Sequence, residues 1–384
     1  MNKEMINITA PDNNYLSEAL QNQNLFVPYT DSKKGIRFYI LSQKVAPVQQ
    51  SFYFVNNSLS ADFRYLWFYC AYPPSGNRNL GVVDLKEGEI YNYPETQFTS
   101  ASPYVDPQTA EVYWGMGRYI WKRGPNKDDE VKPVNSLPGD LVGNRKVSKM
   151  ATHLTRSADG NNFFIDARVG IQQIFGTLSL QGDDFDHWHS FNRNHNHAQF
   201  SPTDSDTVLF AQENHSDPLT GLRYPIENRM WIMKKGEDPY PLLEEDERPE
   251  QGHVTHEWWD PDGRHAWCVW GDQTWKVNIN SREVVEKIDF PYHCWHSHSS
   301  KDGDYIVCDS NKEFYRGCSS SVLFMDRNTG KVIKIVDNPE KADYTGSNYH
   351  IDPHPRFCGQ DQFIIFTTTI RGQVELAVVP VQDL

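Results

Sequence analysis

The order of polar and apolar positions along the chain repeats. A polar turn rich in Asp, Gly, Ser and Pro is followed at once by an apolar, β-rich run at seven places, spaced roughly 40 to 60 residues apart. The turns begin at Ser60, Asp106, Ser157, Ser201, Asp260, Ser300 and Cys358. Most units continue with a third and a fourth apolar run, so each predicts a four-stranded antiparallel meander.

Seven such sheets predict an all-β, seven-bladed β-propeller, because sheets closed around an axis leave only short exposed edges. The last unit stops after its third strand, whereas the strand-like run 35–41 near the N-terminus has no partner of its own. We expect this N-terminal strand to complete the last blade and close the ring. Residues 1–384 are predicted as one domain, in which residues 1–34 form an extension leading to the closing strand. A β-sandwich with hairpin turns is the alternative.

Composition agrees with this fold and narrows the partners. The 11 Trp, 19 Tyr and 20 Phe in 384 residues are typical of all-β chains or of surfaces that handle sugars. The formal charge of -14 repels a phosphate backbone and argues against nucleic acid as a partner. No apolar run reaches the length of about 18 residues that a membrane-spanning helix needs. The oligomeric state leaves no signal in the sequence.

Cysteine usage and the N-terminus bear on the compartment. The six cysteines are scattered without a CxxC pair, which favours reduced thiols. The first residues lack the apolar core of a secretion signal, so we expect a cytoplasmic protein. A periplasmic location stays open if a signal peptide preceded this sequence.

Five histidines stand at one position of the repeat. They lie seven residues before the turn residues Gly160, Asp204, Gly263, Gly303 and Asp361, and they are His153, His197, His256, His296 and His354. The first strand of every blade lines the central channel, so equivalent positions converge around the axis. The pattern therefore predicts a cluster of imidazoles near one mouth of the channel.

The loops after the second strands are expected to lie on the same side as these histidines. They are long in the fourth and sixth blades, where they carry Arg223, Arg229 and Arg316. A cleft walled by loops on a rigid scaffold is where function is expected. Besides Arg229, the candidate substrate-binding residues are His197, His153, Arg223, Arg316, Tyr349 and His298.

A divalent metal site is predicted in the last two blades. The candidate ligands are His296, His354, Asp352 and His350, with His298 as a possible further one. Imidazole and carboxylate ligands without thiolate favour Mn, and Zn, Ni, Fe and Ca are the alternatives. The opposing interpretation is that some of these histidines are hydrogen-bonded structural residues of a polar channel.

Five segments of the second half resemble the oligogalacturonate lyases, polysaccharide lyase family twenty-two. They are His197-Ala-Gln-Phe-Ser-Pro-Thr-Asp204 with Asn228-Arg-Met-Trp-Ile-Met233, Val254-Thr-His-Glu-Trp-Trp-Asp-Pro-Asp-Gly263, Cys294-Trp-His-Ser-His-Ser-Ser-Lys-Asp-Gly303 and Asp352-Pro-His-Pro-Arg-Phe357. The resemblance covers about residues 190–384 by motif and the first half by blade pattern only. It implies a seven-bladed propeller that binds Mn and cleaves short uronate oligosaccharides by β-elimination.

The resemblance also implies roles for single residues. His256 matches the catalytic histidine of the family, Arg229 its active-site arginine, and His296 and His354 two of its metal ligands. The last blade departs from the family pattern Gln-x-x-His-Pro-His-Pro, because Tyr349 and Asp352 stand at the glutamine and first histidine positions. The metal sphere is therefore expected to be rebuilt.

In the implied reaction the proton at C5 leaves and the bond from C4 to the sugar oxygen breaks. We expect His256 to act as the base and Arg229 to contact the uronate carboxylate, and the exchanged assignment, with Arg229 as base, stays open. Water or a tyrosine, with Tyr349 nearest in sequence to the metal strand, would protonate the leaving oxygen. The substrate expected is an acidic oligosaccharide.

Two other classes of function remain alternatives. A glycoside hydrolase needs two carboxylic acids about 5 to 9.5 Å apart across the bond, but the phased positions hold histidines, with only Glu257 and Asp352 nearby. A different metal-dependent carbohydrate enzyme would fit the same ligands. A non-catalytic binding propeller is the second alternative, since a fold alone does not fix a function.

Overall fold

The computed structural model describes residues 14–31, 35–98, 102–244, 254–310, 319–339 and 351–384. It is a seven-bladed β-propeller of antiparallel sheets, as the turn pattern predicted. Within the described residues, helix is limited to α1 (Tyr15–Leu20), α2 (Gly139–Val142) and a 3-10 turn (Val381–Asp383). None of the helices found there is both long and apolar enough to cross a membrane.

The strands follow in chain order. Before the first blade lie β1 (Phe26–Thr30) and β2 (Arg37–Leu41). The first blade contains β3 (Val48–Gln50), β4 (Tyr65–Ala71), β5 (Arg78–Asp84) and β6 (Glu89–Phe98). The second contains β7 (Tyr104–Val105), β8 (Val112–Met116), β9 (Tyr119–Arg123) and β10 (Lys132–Ser136). The third contains β11 (Val147–Lys149), β12 (Thr155–Arg156), β13 (Asn162–Val169), β14 (Gln172–Ser179) and β15 (Phe185–Phe191).

The second half of the ring is more regular. The fourth blade contains β16 (His195–Phe200), β17 (Thr207–Gln212), β20 (Met230–Lys234) and β21 (Tyr240–Pro241), with a separate hairpin of β18 (His215–Ser216) and β19 (Arg223–Tyr224). The fifth contains β22 (Thr255–Trp259), β23 (His265–Trp270), β24 (Gln273–Asn278) and β25 (Val284–Asp289). The sixth contains β26 (Ser297–Ser299), β27 (Tyr305–Ser310), β28 (Ser320–Asp326) and β29 (Lys331–Asn338).

The last blade is assembled from both ends of the described chain. From the axis outward it contains β30 (Arg356–Cys358), β31 (Phe363–Thr368), β32 (Glu375–Pro380), β2 and β1. The predicted N-terminal closing strand is confirmed, because Tyr39 and Ile40 of β2 pair with Val378 and Ala377 of β32. β1 adds a fifth strand at the outer edge, within the segment expected to be an extension.

The hydrophobic core lies between neighbouring blades rather than in one central body. Every residue of β4, β31 and β32 is buried, because both faces of these sheets are covered by adjacent sheets. This explains why the strands read as continuous apolar runs instead of alternating patterns. The closing strand takes part in this packing, since Phe38 contacts Phe366 of its own blade and belongs to one cluster with Phe324 of the sixth.

We predict that Phe38→Ala lowers the free energy of unfolding by about 3 to 5 kcal/mol, because it leaves a cavity where the ring of blades closes. Urea unfolding at pH 7 measures the change. Arg37→Ala is the matched control, since this neighbouring side chain is exposed and its loss should change stability by less than about 0.5 kcal/mol. Equal effects of the two substitutions would contradict closure through the core face of β2.

Candidate active site

The five phased histidines converge around the axis, and we call them the histidine ring. Neighbouring rings are close, with centroids 4.9 Å apart for His153 and His197, 4.1 Å for His256 and His296, and 4.3 Å for His296 and His354. Tyr53 of the first blade occupies the centre. Its ring lies 4.8 Å from both His153 and His354, 5.8 Å from His296 and 6.1 Å from His197.

Backbone geometry aims several of these side chains at the axis. His197, His256 and His354 have φ of 57°, 52° and 43°, in the left-handed region that side-chain-bearing residues rarely adopt. The strand pairing shifts register around the first two, between Asn196 and Gln199 and between Thr255 and Trp258. These are β-bulges, which re-aim a side chain near functional sites. Strained backbone held by the surrounding structure is typical of such places.

Side-chain donor atoms that could hold a metal ion come together from three residues. We call these residues, His296, Asp352 and His354, the metal-type set. One donor atom from each lies within 4.8 Å of the others, and all three residues are buried. His354 Nε2 is 3.8 Å from an Asp352 carboxylate oxygen. Two imidazoles and one carboxylate are donors that suit a first-row divalent cation such as Mn.

Asp309, at the end of the second strand of the sixth blade, supports this set from behind. Its carboxylate accepts a hydrogen bond from His296 Nδ1 at 2.9 Å, from the His296 backbone N–H at 2.8 Å and from the His354 backbone N–H at 3.2 Å. Because Nδ1 of His296 is held this way, Nε2 is the nitrogen that can coordinate a cation. A carboxylate behind a ligating imidazole fixes the ring and raises its basicity. Burial alone would lower the pKa of His296, but the charge of Asp309 outweighs it and raises the pKa.

Arg229 anchors the opposite side of the histidine ring. Its Nη1 lies 2.5 Å from Glu213, its Nε 3.4 Å from Glu257 and its Nη2 3.0 Å from His197 Nδ1. Burial opposes the charge on Arg229, but the attraction of Glu257 and Glu213 outweighs it and raises the pKa of the guanidinium. For Glu257, burial would raise the pKa, but Arg229 and the hydrogen bond with His197 lower it to about 2. The network is therefore charged at neutral pH.

The environment of His153 differs from that of His296 and His354. Its Nδ1 lies 3.2 Å from the hydroxyl of Ser102, and among the described residues its Nε2 has no hydrogen-bond partner. Burial, followed by repulsion from His197, lowers the pKa of His153 well below the ordinary value. His153 is therefore a neutral imidazole, able to form one further hydrogen bond.

The structure separates the remaining candidates. Arg223 is exposed in the β18 and β19 hairpin, and no hydrogen bond, ion pair or ring contact joins it to the histidine ring within the described ranges. His298 is not among the described residues whose donor atoms converge on a possible metal position, and its ring lies 6.4 Å from Trp258 and 6.1 Å from Phe357. Burial lowers the pKa of His298 well below the ordinary value. Arg316, Tyr349 and His350 lie outside the described residues.

Sequence reasoning missed several residues of the site, among them Asp309, Tyr53 and Arg78. Counting back from the turn of the first blade reaches Asn56, which lies three residues after Tyr53. The count therefore does not find Tyr53. Arg78 begins the third strand of the first blade, as Arg229 directly precedes that of the fourth, and interacts electrostatically with Asp352. Comparing third-strand starts across blades would have found Arg78, whereas nothing in the sequence marks Tyr53.

No family model matches the chain. Among curated proteins, the oligogalacturonate lyase of Dickeya dadantii is 24% identical over 213 residues, which cover 49% of this chain and 50% of that protein. The oligogalacturonide lyase of Pectobacterium atrosepticum is 27% identical over 203 residues, with the same coverage of 49% and 50%. The chain thus spans about half the length of the curated relatives it matches.

Solved structures agree over a longer stretch. An oligogalacturonate lyase in complex with manganese superposes with a TM-score of 0.71 at 17% identity, covering 93% of this chain and 97% of that one. The oligogalacturonate lyase of Vibrio parahaemolyticus gives a TM-score of 0.72 at 17% identity, covering 93% and 96%. At this identity the superpositions establish the fold. Together with the curated relatives they confirm the resemblance that the second half of the sequence indicated.

We predict that Glu257→Gln lowers the free energy of unfolding at pH 7 by about 3 kcal/mol or more, because it leaves the buried Arg229 charge less compensated. The folded-state pKa of about 2 lies below the unfolded value of about 4.3, so the stabilisation is present above pH 4.3 and lost as the pH falls towards 2. Urea unfolding at several pH values should show the difference between wild type and variant shrinking in that window.

Glu213→Gln is the control for this prediction, since Glu213 contacts the same arginine but its side chain is 27% exposed. Its loss should cost about 1 kcal/mol or less. A Glu257 variant as stable as the Glu213 variant would show that the buried pair is not what holds Arg229.

Proposed function

We propose that this chain is a metal-dependent lyase that cleaves uronate oligosaccharides by β-elimination. The observation that carries the proposal is the position of His256, whose ring lies 4.1 Å from that of His296 at the edge of the metal-type set. A base, a cation site and cationic side chains in one mouth are what proton removal beside a carboxylate requires. The similarity to oligogalacturonate lyases supports the same reaction class.

The residues present fit a divalent cation. His296 and His354 supply imidazole, Asp352 supplies a carboxylate, and Asp309 orients one of the ligating rings. In the described part of the mouth, the carboxylates Glu213, Glu257, Asp309 and Asp352 outnumber the guanidinium groups Arg229 and Arg78 that interact with them. An excess of buried carboxylate favours a bound cation. Manganese is the proposed metal, because the ligands combine nitrogen and oxygen.

The C5 proton of a uronate is too weakly acidic to leave while the adjacent carboxylate keeps its full charge. A divalent cation at His296, His354 and Asp352 would supply Lewis acidity that stabilises the charge developing on that carboxylate. Arg78 and Arg229 add fixed positive charge on either side. Each is placed where the third strand of its blade begins, so rotational pseudo-symmetry brings both to the same mouth.

His256 is the proposed base. The alternative, in which Arg229 is the base, is disfavoured. Arg229 pairs with two carboxylates that raise its pKa, so it remains protonated at neutral pH and cannot accept the C5 proton. An imidazole has an unperturbed pKa of about 6.5, which suits proton transfer near pH 7. The bulged backbone at His256 and its contact with Trp295, 4.5 Å between ring centroids, fix the direction of the imidazole.

Tyr53 holds a proton at the centre of the histidine ring. Burial, followed by the negative charge of Glu257, raises the pKa of Tyr53 well above its ordinary value, so the phenol stays protonated. A hydroxyl there is suited to donate to the sugar oxygen that leaves C4. Tyr349, for which the sequence suggests the same role, lies outside the described residues.

A hydrolase on the same scaffold is disfavoured by the state of the nearest carboxylate. A glycosidase needs a protonated carboxylic acid with a raised pKa as its general acid. Glu257, beside His256, has the opposite shift, a pKa of about 2, and is held by Arg229 and His197. It therefore cannot supply a proton near neutral pH.

We predict that manganese-loaded protein converts oligogalacturonate into products with unsaturated ends and that His256→Ala reduces the rate about 10²- to 10⁴-fold, as expected for loss of a general base. Ultraviolet absorbance follows the reaction, and mass spectrometry separates elimination from hydrolysis, which adds one water. His187→Ala is the control, because that histidine is exposed in the third blade. Products carrying the added water would identify a hydrolase, and wild-type protein that leaves a panel of uronate oligosaccharides unchanged would favour a binding propeller.

We also predict that Asp309→Asn weakens manganese binding about 10- to 100-fold, because the residue behind a ligating histidine orients it and raises its basicity. Calorimetric titration of metal-free protein measures this directly, without substrate. Asp304→Asn is the matched control on an exposed turn of the same blade. Unchanged affinity in the Asp309 variant would place the metal away from His296.

A further inference from the structure

A second layer of side chains lies along the channel below the histidine ring. Two residues after Tyr53 and each ring histidine stand Val55, Thr155, Gln199, Trp258, His298 and Arg356. All six line one cavity of about 330 Å³. The remaining lining includes Pro202, Pro261, Lys301 and Asp361 at or next to the turns, which places the cavity at the opposite mouth from the long loops.

Tyr53 belongs to the layer of the histidine ring, and the chain leads from it directly to the lower cavity. Its ring fills the centre of the upper layer, with four imidazoles around it. The next residue but one, Val55, already lines the lower cavity. The two spaces are therefore stacked on one axis and open to opposite faces of the propeller.

The lower cavity contains a guanidinium without a matched carboxylate. Arg356 Nη1 donates to the backbone oxygen of Phe54 at 2.5 Å, and its buried Nε has no hydrogen-bond partner among the described residues. Arg356 also forms no ion pair within the described ranges. The acidic group of the lining, Asp361, attracts Arg356 electrostatically without forming an ion pair with it, and its carboxylate accepts the backbone N–H of Lys301 at 2.6 Å. Lys301 itself adds a second cation at the exposed mouth.

The walls around Arg356 are flat and largely apolar. Trp258 is stacked on Trp267 and fixed by an indole hydrogen bond to Ser299 at 3.3 Å, so its face is rigid. Phe357 and His298 continue the wall, with 6.1 Å between their rings. A planar guanidinium fork matches a carboxylate through two parallel hydrogen bonds. The volume lies at the lower end of the range for small-molecule pockets, about 300 to 1,000 Å³, and suits one ring rather than a chain.

We propose that the lower cavity is a second binding site, for a small monocarboxylate of about the size of one sugar ring, with its carboxylate on Arg356 and its ring against Trp258. It is distinct from the metal-type set because the ligand reaches it from the face carrying the Asp-Gly turns. Lys301 attracts the anion at the entrance. The site stands independently of the lyase reaction, although a monomeric sugar acid fits both its charge and its size.

The test titrates galacturonate into the full chain, with chelator present and in the Asp309→Asn background, so that the upper site holds no metal. Calorimetry should show binding that Arg356→Gln weakens at least about tenfold, as expected for loss of a charged hydrogen-bonding partner. Arg264→Gln, an exposed arginine at the turn of the fifth blade, should leave the affinity unchanged. Galactose, which lacks the carboxylate, should not bind.

Lys301→Glu provides a second variant that does not depend on the packing of Arg356, because the Lys301 side chain is exposed. It should weaken galacturonate binding about threefold, and the loss should shrink as salt is added. The proposal is overturned if galacturonate binds only when metal is present, if its affinity is the same in folded Arg356→Gln protein, or if inorganic phosphate binds while galacturonate does not.

Discussion

The candidate site depends on one buried carboxylate that ties two blades together. Asp309 accepts backbone N–H groups from His296 of the sixth blade and His354 of the seventh, and the same group holds the His296 imidazole. The third and fourth blades use the same device, since Asp166 accepts from the backbone of Thr152 and of Ala198. Between the seventh and first blades Thr367 takes this place, accepting from the backbone of Ser51. Because these links fix neighbouring inner strands at one height, side chains from different blades meet in one layer.

The histidine ring also requires unfavourable backbone geometry. Left-handed φ values at His197, His256 and His354 cost on the order of 1 kcal/mol or more each, and persist only where surroundings enforce them. Hydrogen bonds provide this constraint at two of the three residues. Asp309 holds His354, and Arg229 and Glu257 hold His197. Electrostatic links and strained backbone are therefore parts of one arrangement.

Much of this arrangement could be predicted from sequence, because each inner-strand position lies at a fixed number of residues before the turn of its blade. The turn after each inner strand is strongly marked, so counting back from it places His296 and His354 in one layer without knowledge of their contacts. The unpaired run before the first blade predicts the closing strand for the same reason. The same count could have placed His298 one layer below the histidine ring, since strand side chains two residues apart occupy successive layers.

What the sequence could not predict are residues whose role depends on convergence between blades. Asp309 lies at the end of a second strand, where nothing local distinguishes it from an ordinary polar residue at a strand end. Arg78 stands out only when the starts of the third strands are compared between blades. Tyr53 is off the phase because Asn56 holds the phased position of its blade, where its amide donates to Pro103 and Leu154. Its place at the centre follows from the missing histidines of the first two blades, which leave room for a larger ring.

Local charge reconciles the net charge of -14 with the proposed acidic substrate. At physiological salt the Debye length is about 8 Å, so surface carboxylates farther away contribute little at the mouth of the channel. Within that distance Glu213 and Glu257 pair with Arg229, and Asp352 interacts with Arg78 and, as proposed, holds a divalent cation. The carboxylates that would repel the substrate are thus the ones that hold the positive charges in place. An acidic surface is compatible with the proposed anion-binding site, because salt screens the charges of the surface but not those of the buried site.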